Sequence, residues 1–152
     1  AAPPPFPPQV PAYPPNPFPQ AGYGMAGGAA EGPPEGPPLI GYTKRVFSKY
    51  ATFSGRASRA EYWWFFLANV IVMFGLAILA GIADAFAILY ILWVLAIIVP
   101  SIAVAVRRLH DTNKSGAYIL IGLIPFVGGI ISIVFMATQG DAGPNQYGPP
   151  PG

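Results

Sequence analysis

Cysteine is absent from the 152 residues, which excludes disulfide frameworks, thiolate metal sites and thiol nucleophiles together. Histidine occurs once, at His110, with no dense carboxylate cluster beside it, so no metal site is expected. Charge is scarce too: Asp, Glu, Lys and Arg make up 9% of the chain, against roughly a quarter in soluble globular proteins. From Tyr62 to Val106 the single side chain charged at neutral pH is Asp84, and from Ala117 to Gln139 there is none. An ordinary water-soluble globule is therefore excluded.

Apolar residues fill the space, at 53% of the chain and a mean hydropathy of +0.49. A helix needs about 20 apolar residues to cross a bilayer's hydrocarbon core. The second charge-poor stretch is long enough for one crossing and the first for two. The expected fold is all-α: a polytopic membrane protein with three transmembrane helices and a disordered Pro-rich N-terminal tail. Its parts are a Pro/Gly-rich tail over 1–38, a helical membrane domain over 39–140 and a C-terminal tail over 141–152. Within the domain the spans are placed at about 61–83, 85–106 and 117–138. No basic-then-apolar secretory signal is visible, so the first span is expected to direct insertion.

Fourteen of the twenty prolines lie in residues 1–38. Proline fixes φ and lacks an N–H, so this tail favours polyproline II and coil. Phe6, Tyr13, Phe18 and Tyr23 are spaced among the prolines, so the tail serves either as a flexible spacer or as a ligand for a partner's aromatic groove. Next, Tyr42, Val46, Phe47, Tyr50 and Phe53 recur at helical spacing, with Lys44, Arg45 and Lys49 off that stripe. A short helix over about 42–52 follows, lying in the membrane interface or packed on the bundle.

Ser58-Arg59-Ala60-Glu61 is a capping-box pattern. The serine accepts from the Glu61 amide, and the glutamate reaches back to the cap N–H. Gly81 and Asp84 mark a tight turn between two helices, with Asp84 expected to cap the second. Pro100 cannot donate to residue 96, which predicts a kink. Pro125 and Gly128-Gly129 predict a bend or break in the third span.

Lys and Arg collect in cytoplasmic loops. Five precede the first span (Lys44, Arg45, Lys49, Arg56, Arg59) and three lie between the second and third (Arg107, Arg108, Lys114), while the Asp84 turn and the C-terminal tail have none. Three spans then place the tail and the 107–116 loop in the cytoplasm, with Asp84 and the C-terminus outside.

Two polar segments meet at that face: "SGRASRAE" (54–61) and "RRLHDTNKSG" (107–116). Arg56, Arg59, Arg107, Arg108 and Lys114 form a candidate site for an anion or lipid headgroup, because guanidinium groups grip phosphate through paired hydrogen bonds. Ser58, Glu61, His110 and Asp111 form the accompanying structural polar network. His110-Asp111 resembles a general-base pair, but no nucleophile is tied to it by spacing, so no catalytic residue is assigned. "NKSG" lacks the glycine-rich loop of a nucleotide-binding site. No cofactor and no nucleic-acid partner are expected.

Taken together, "FSGRASRAEYWW", "RRLHDTNKSG" and "GDAGPNQYGPPP" resemble the landmarks of the domain-of-unknown-function 805 family, YhaH-type small bacterial inner-membrane proteins, over about residues 42–151. The F-x-G-R-x-x-R-x-E-Y-W start is matched by Phe53, Gly55, Arg56, Arg59, Glu61, Tyr62 and Trp63. The R-R-L-H-D segment is matched by Arg107 to Asp111, and the closing G-x-N-x-Y-G by Gly143, Asn145, Tyr147 and Gly148. In place of the aromatic pair that often follows Ser-Gly, this chain has Ala117-Tyr118. The resemblance implies a helical protein of the bacterial plasma membrane and supplies no activity, substrate or cofactor.

The leading expectation is a non-enzymatic membrane protein offering a basic cytoplasmic face to anionic lipid or a partner protein. The alternative is a small transporter or channel subunit working as a homo-oligomer, suggested by the breaks at Pro100, Pro125 and Gly128-Gly129. A lipid-modifying enzyme using His110 and Asp111 is the third reading.

Overall fold

Residues 32–151 are described by a computed structural model. The tail over 1–31, with Phe6, Tyr13, Phe18 and Tyr23, lies outside the described residues. Four α-helices and one 3₁₀ helix make up the fold, and no strand is present among the described residues: α1 Pro38–Ser48, α2 Arg59–Ile82, α3 Ala85–Asp111, the 3₁₀ helix Gly116–Leu123 and α4 Gly128–Ala137.

Pro38 starts α1, where its fixed φ suits a first turn and its missing N–H is not needed. The helix thus begins and ends four residues ahead of the expected 42–52. Of the two settings foreseen for its aromatic stripe, packing on the bundle is observed. Val46 is fully buried with Ala57, Phe65 and Val104, and Phe47 meets the rings of Phe65 and Trp93 edge-on at 5.9 and 6.3 Å.

Ser58 caps α2 as its sequence pattern requires, accepting from the Glu61 amide at 3.1 Å. The reciprocal half of the box does not form, because the Glu61 carboxylate is taken by Arg107. At 24 and 27 residues, α2 and α3 are about 36 and 40 Å long at 1.5 Å per residue. Only Ala83 and Asp84 separate them, so the expected tight hairpin is present. Asp84 precedes α3, but its side chain makes no capping bond, contrary to expectation. The Ala87 and Phe86 amides are served instead by the carbonyls of Asp84 and Ala83.

Pro100 leaves α3 unbroken. The carbonyl it orphans, on Ala96, accepts a hydrogen bond from the Tyr50 hydroxyl. A side chain from the turn after α1 thereby replaces the missing rung, about 16 Å along the helix from Arg107.

The expected third span, 117–138, is not one helix. Pro125 has no N–H for the Gly122 carbonyl, so the 3₁₀ helix stops there, and Phe126 takes a left-handed backbone with φ 64°. The chain then reverses into α4, and the two arms pack together. Tyr118 meets Phe135 at 5.9 Å, while a Cβ at Gly128 would collide with the Ile121 carbonyl. Ile119 and Phe135 pack at the hairpin's base against Ala105, Leu109 and Met136. The C-terminal segment therefore returns to the end of the bundle where the hairpin began, which corrects its expected placement at the opposite end.

Candidate functional site

The buried charged residues gather at one end of the bundle, where segments far apart in sequence meet. The Ala57 amide donates to the Arg107 carbonyl at 3.0 Å, laying the 54–58 segment across the end of α3. Arg107, Arg108 and Asp111 occupy the last turns of that helix, so their side chains face α2, the hairpin and the C-terminal segment.

Asp111 is the anionic centre. Its Oδ1 accepts from Arg56 Nε at 2.9 Å and lies 2.8 Å from Arg56 Nη2, while Oδ2 accepts from Arg108 Nη1 at 2.5 Å. The remaining guanidinium N–H groups bind backbone. Arg56 Nη1 donates to the carbonyls of Gly143 (2.7 Å) and Gly148 (3.2 Å), and Nη2 to that of Asp141 (2.5 Å). Arg108 donates to the carbonyls of Met136 (3.1 Å), in the last turn of α4, and of Thr138, just beyond it. Burial is nearly complete, with Arg56 at 6% and Arg108 at 0% exposure.

Arg107 and Glu61 make a separate buried pair, Nη1 to Oε1 at 2.7 Å. It is less well satisfied, because Nε and Nη2 of Arg107 have no hydrogen-bond partner. Lone pairs and protons left unmatched inside a protein weaken the case for a buried ion pair as a stabilising element.

The C-terminal motif closes the site. Asn145 donates from Nδ2 to the His110 carbonyl at 2.9 Å and to Asp141 Oδ2 at 3.0 Å, and its Oδ1 accepts the Tyr147 amide at 2.9 Å. Asn145 and Gly148 exchange backbone bonds at 3.1 and 3.0 Å, a tight loop in which Gly148 takes φ 123°, a conformation reserved for glycine. The loop lays the Tyr147 ring flat on His110, centroids 3.8 Å apart and 2° from parallel. Because a carbonyl can only accept, His110 Nδ1, 3.1 Å from the Gly55 oxygen, carries the ring proton.

Of the five cations singled out in the sequence, three come together with carboxylates: Arg56 and Arg108 on Asp111, and Arg107 on Glu61. Arg56, Arg107 and Arg108 are interior side chains engaged by protein groups, and two carboxylates hold three arginines. Arg59 is exposed and flanks an open cleft of about 230 Å³ lined by Ser58, Asp111, Gly140, Asp141 and Pro150-Pro151. Lys114 is half-exposed, its ammonium 5.3 Å from the centre of the Phe135 ring. His110 and Asp111 do not form a general-base pair, since both Asp111 oxygens serve arginines and the protonated ring nitrogen faces Gly55.

Sequence reasoning missed Tyr50 as the donor to Ala96, although the orphan carbonyl itself was legible from Pro100. It also missed Asn69, buried on α2 and donating to the Phe65 carbonyl at 2.9 Å. A lone amide in an apolar run was the available signal.

An all-helical bundle with two helices long and apolar enough to cross a membrane, closed at one end by a buried arginine–carboxylate network, is the class this architecture defines. Within it, residues 50–149 match the family described as protein of unknown function (DUF805), and the chain belongs to that family. It is 43% identical over 109 residues to inner membrane protein YhaI of Escherichia coli K12, covering 70% of this chain and 91% of the relative. Inner membrane protein YhaH of the same strain is 41% identical over 112 residues, 70% and 93% of the two chains. The uncharacterized protein YiiR is 33% identical over 84 residues, 50% and 52% of the two chains. No solved structure matches.

Proposed function

We propose that this chain is a non-enzymatic inner-membrane protein that crosses the bilayer twice, with α2 and α3, and dips its 116–137 hairpin into the cytoplasmic leaflet. The exposed Lys44 and Arg59 and the half-exposed Lys114 then address the phosphates of anionic lipids. One observation carries this reading: all eight basic residues fall in 44–59 and 107–114, while the turn joining α2 to α3 has none. Cytoplasmic segments concentrate Lys and Arg in this way.

Lengths support it. Both long helices exceed the roughly 30 Å of hydrocarbon they must cross. The hairpin's arms, eight and ten residues, extend about 16 Å at 2.0 Å per 3₁₀ residue and about 15 Å at 1.5 Å per α residue. Each arm reaches half-way. With two crossings the C-terminal segment is cytoplasmic, in keeping with its bonds to Arg56 and His110, and the expectation of an external C-terminus is given up. The names of YhaI and YhaH place those relatives in the inner membrane, which agrees with this setting.

The three buried arginines hold the cytoplasmic end together, leaving headgroup binding to Lys44, Arg59 and Lys114. Substituting Lys44, Arg59 and Lys114 together by Gln tests this. Basic residues near an anionic surface contribute about 1 kcal/mol each, so the preference for retaining phosphatidylglycerol over phosphatidylcholine in mixed-lipid nanodiscs falls about 100-fold, while thermal stability in detergent is unchanged. Unaltered lipid binding by the triple variant contradicts the proposal. A transporter subunit is the second reading, favoured by the helix break at residues 124–127, and it requires water at the hairpin tip.

A further inference from the structure

The segment 139–151 is tied to the charged end by hydrogen bonds and one ring stack. Asn145 is its one buried residue, so none of its apolar side chains is buried. Three of its carbonyls, those of Asp141, Gly143 and Gly148, converge on the guanidinium of Arg56. The Asp141 amide donates to the Asp111 carbonyl at 2.9 Å, and Asn145 and Tyr147 hold the loop to His110. A segment with few buried apolar contacts opens at lower free energy than the helices it covers. The open cleft of about 230 Å³ runs beside it, lined by Arg59 at the start of α2, by Asp111, and by 140–142 and 150–151 of this segment. Arg59 is exposed, and among the described residues its guanidinium makes no ion pair or hydrogen bond. Asp111 is already shared by Arg56 and Arg108. Three guanidiniums therefore meet only the carboxylates of Asp111 and Asp141 around this cleft, and a positive charge is left over.

We propose that this cleft is a phosphate site and that residues 139–151 are a displaceable strap beside it: a phosphate arriving at Arg59 takes the place of the strap's carbonyls on Arg56. This rests on the reading above in which Arg59 meets lipid phosphate, and it adds Arg56 as the second ligand once the strap is off. Arg56 keeps Asp111 through Nε. Its Nη1 and Nη2 exchange the carbonyls of Asp141, Gly143 and Gly148 for two oxygens of one anion, the paired geometry that makes guanidinium–phosphate bonds among the strongest. The strap's carbonyls thus stand where phosphate oxygens go. An anion that binds Arg56 only in the open form shifts the population toward that form, and the strap then reports the presence of the anion at the cytoplasmic face.

Hydrogen–deuterium exchange of the full chain in phosphatidylcholine nanodiscs tests this. Three additions are compared: phosphatidylglycerol in the bilayer, inorganic phosphate in the buffer, and sodium chloride at matched ionic strength. The amides of Asp141, Asn145, Tyr147 and Gly148 are all bonded in the closed strap. With a phosphate source they should exchange about tenfold faster, while those of α2 and α3 do not change. Acceleration by phosphatidylglycerol alone assigns the site to a lipid headgroup, and acceleration by inorganic phosphate assigns it to the free anion. Arg59→Gln should remove the acceleration. An acceleration that survives Arg59→Gln overturns the site, and so does one that sodium chloride matches, since that marks screening of charge. Unchanged exchange with both phosphate sources, in protein that native mass spectrometry shows retaining phosphatidylglycerol, overturns the strap and leaves the lipid reading standing. Unchanged exchange with no phosphatidylglycerol retained overturns both.

Discussion

The two ends of the bundle are held by different means. At the charged end Arg56, Glu61, Arg107, Arg108 and Asp111 are buried, and their bonds join segments up to 92 residues apart. At the other end none of residues 70–99 is buried, and Phe74, Ile82 and Ile88 stand open at 69%, 75% and 63% exposure. The charged end supplies its own interior. The apolar end leaves that task to the surrounding medium, as α2 and α3 can only if that medium is hydrocarbon. Stability against perturbation should therefore be concentrated at the polar end, the reverse of a soluble protein's apolar core.

The largest expected break in that contrast comes from Asp111→Asn. It strands Arg56 and Arg108 in the interior, and removing one partner of a buried ion pair destabilises by about 3–5 kcal/mol. Thermal unfolding in detergent should show it, with early proteolysis of residues 139–151. The mirror change at the apolar end, Asp84→Asn, lacks a capping bond to lose and should stay within about 0.5 kcal/mol.

Glu61→Gln should cost about 3 kcal/mol by the same mechanism. The pair with Arg107 is less fully bonded than the Asp111 centre, so Glu61→Met with Arg107→Met should recover that loss. A double variant as unstable as the single one would show that the pair, and not only its balance, holds α2 to α3.

Asn145→Ala removes two donated bonds and one accepted bond. It should cost about 1–3 kcal/mol and free the Tyr147 ring from His110, visible as loss of upfield-shifted His110 resonances by NMR. Smaller again is the effect of Tyr50→Phe, which leaves the Ala96 carbonyl unmatched. About 1 kcal/mol and faster amide exchange around residue 100 are expected, against no change for Tyr90→Phe in the apolar half.

These expectations also mark what was legible in the sequence. Local signals carried through: Ser58 as a cap, the turn at 83–84, and the break between Pro125 and Gly128 all depend on neighbours within a few residues. Long-range choices did not. Glu61 satisfied a local pattern, yet its carboxylate went to an arginine 46 residues away, because a buried guanidinium competes better than an N-terminal amide that water can serve. The third apolar stretch was long enough to cross, and hydropathy alone does not distinguish crossing from turning back. The decision lies in Arg108 gripping the end of α4 and Arg56 gripping the segment beyond it. The Gly143, Asn145, Tyr147 and Gly148 motif was recognisable by resemblance, but its work of laying Tyr147 on His110 belongs to tertiary structure.

In the proposed topology both ends of the membrane domain and the 112–115 loop share the cytoplasmic face. Reporter fusions after Gly152 test it most directly. A green fluorescent protein there, which matures in the cytoplasm and fails when exported through the general secretory route, should be fluorescent, and an alkaline phosphatase there, active only after export, should be silent. A phosphatase inserted at the Ala83-Asp84 turn should be active. Phosphatase activity after Gly152, with a dark fluorescent fusion, would mean that residues 116–137 cross the bilayer and that the C-terminus lies outside.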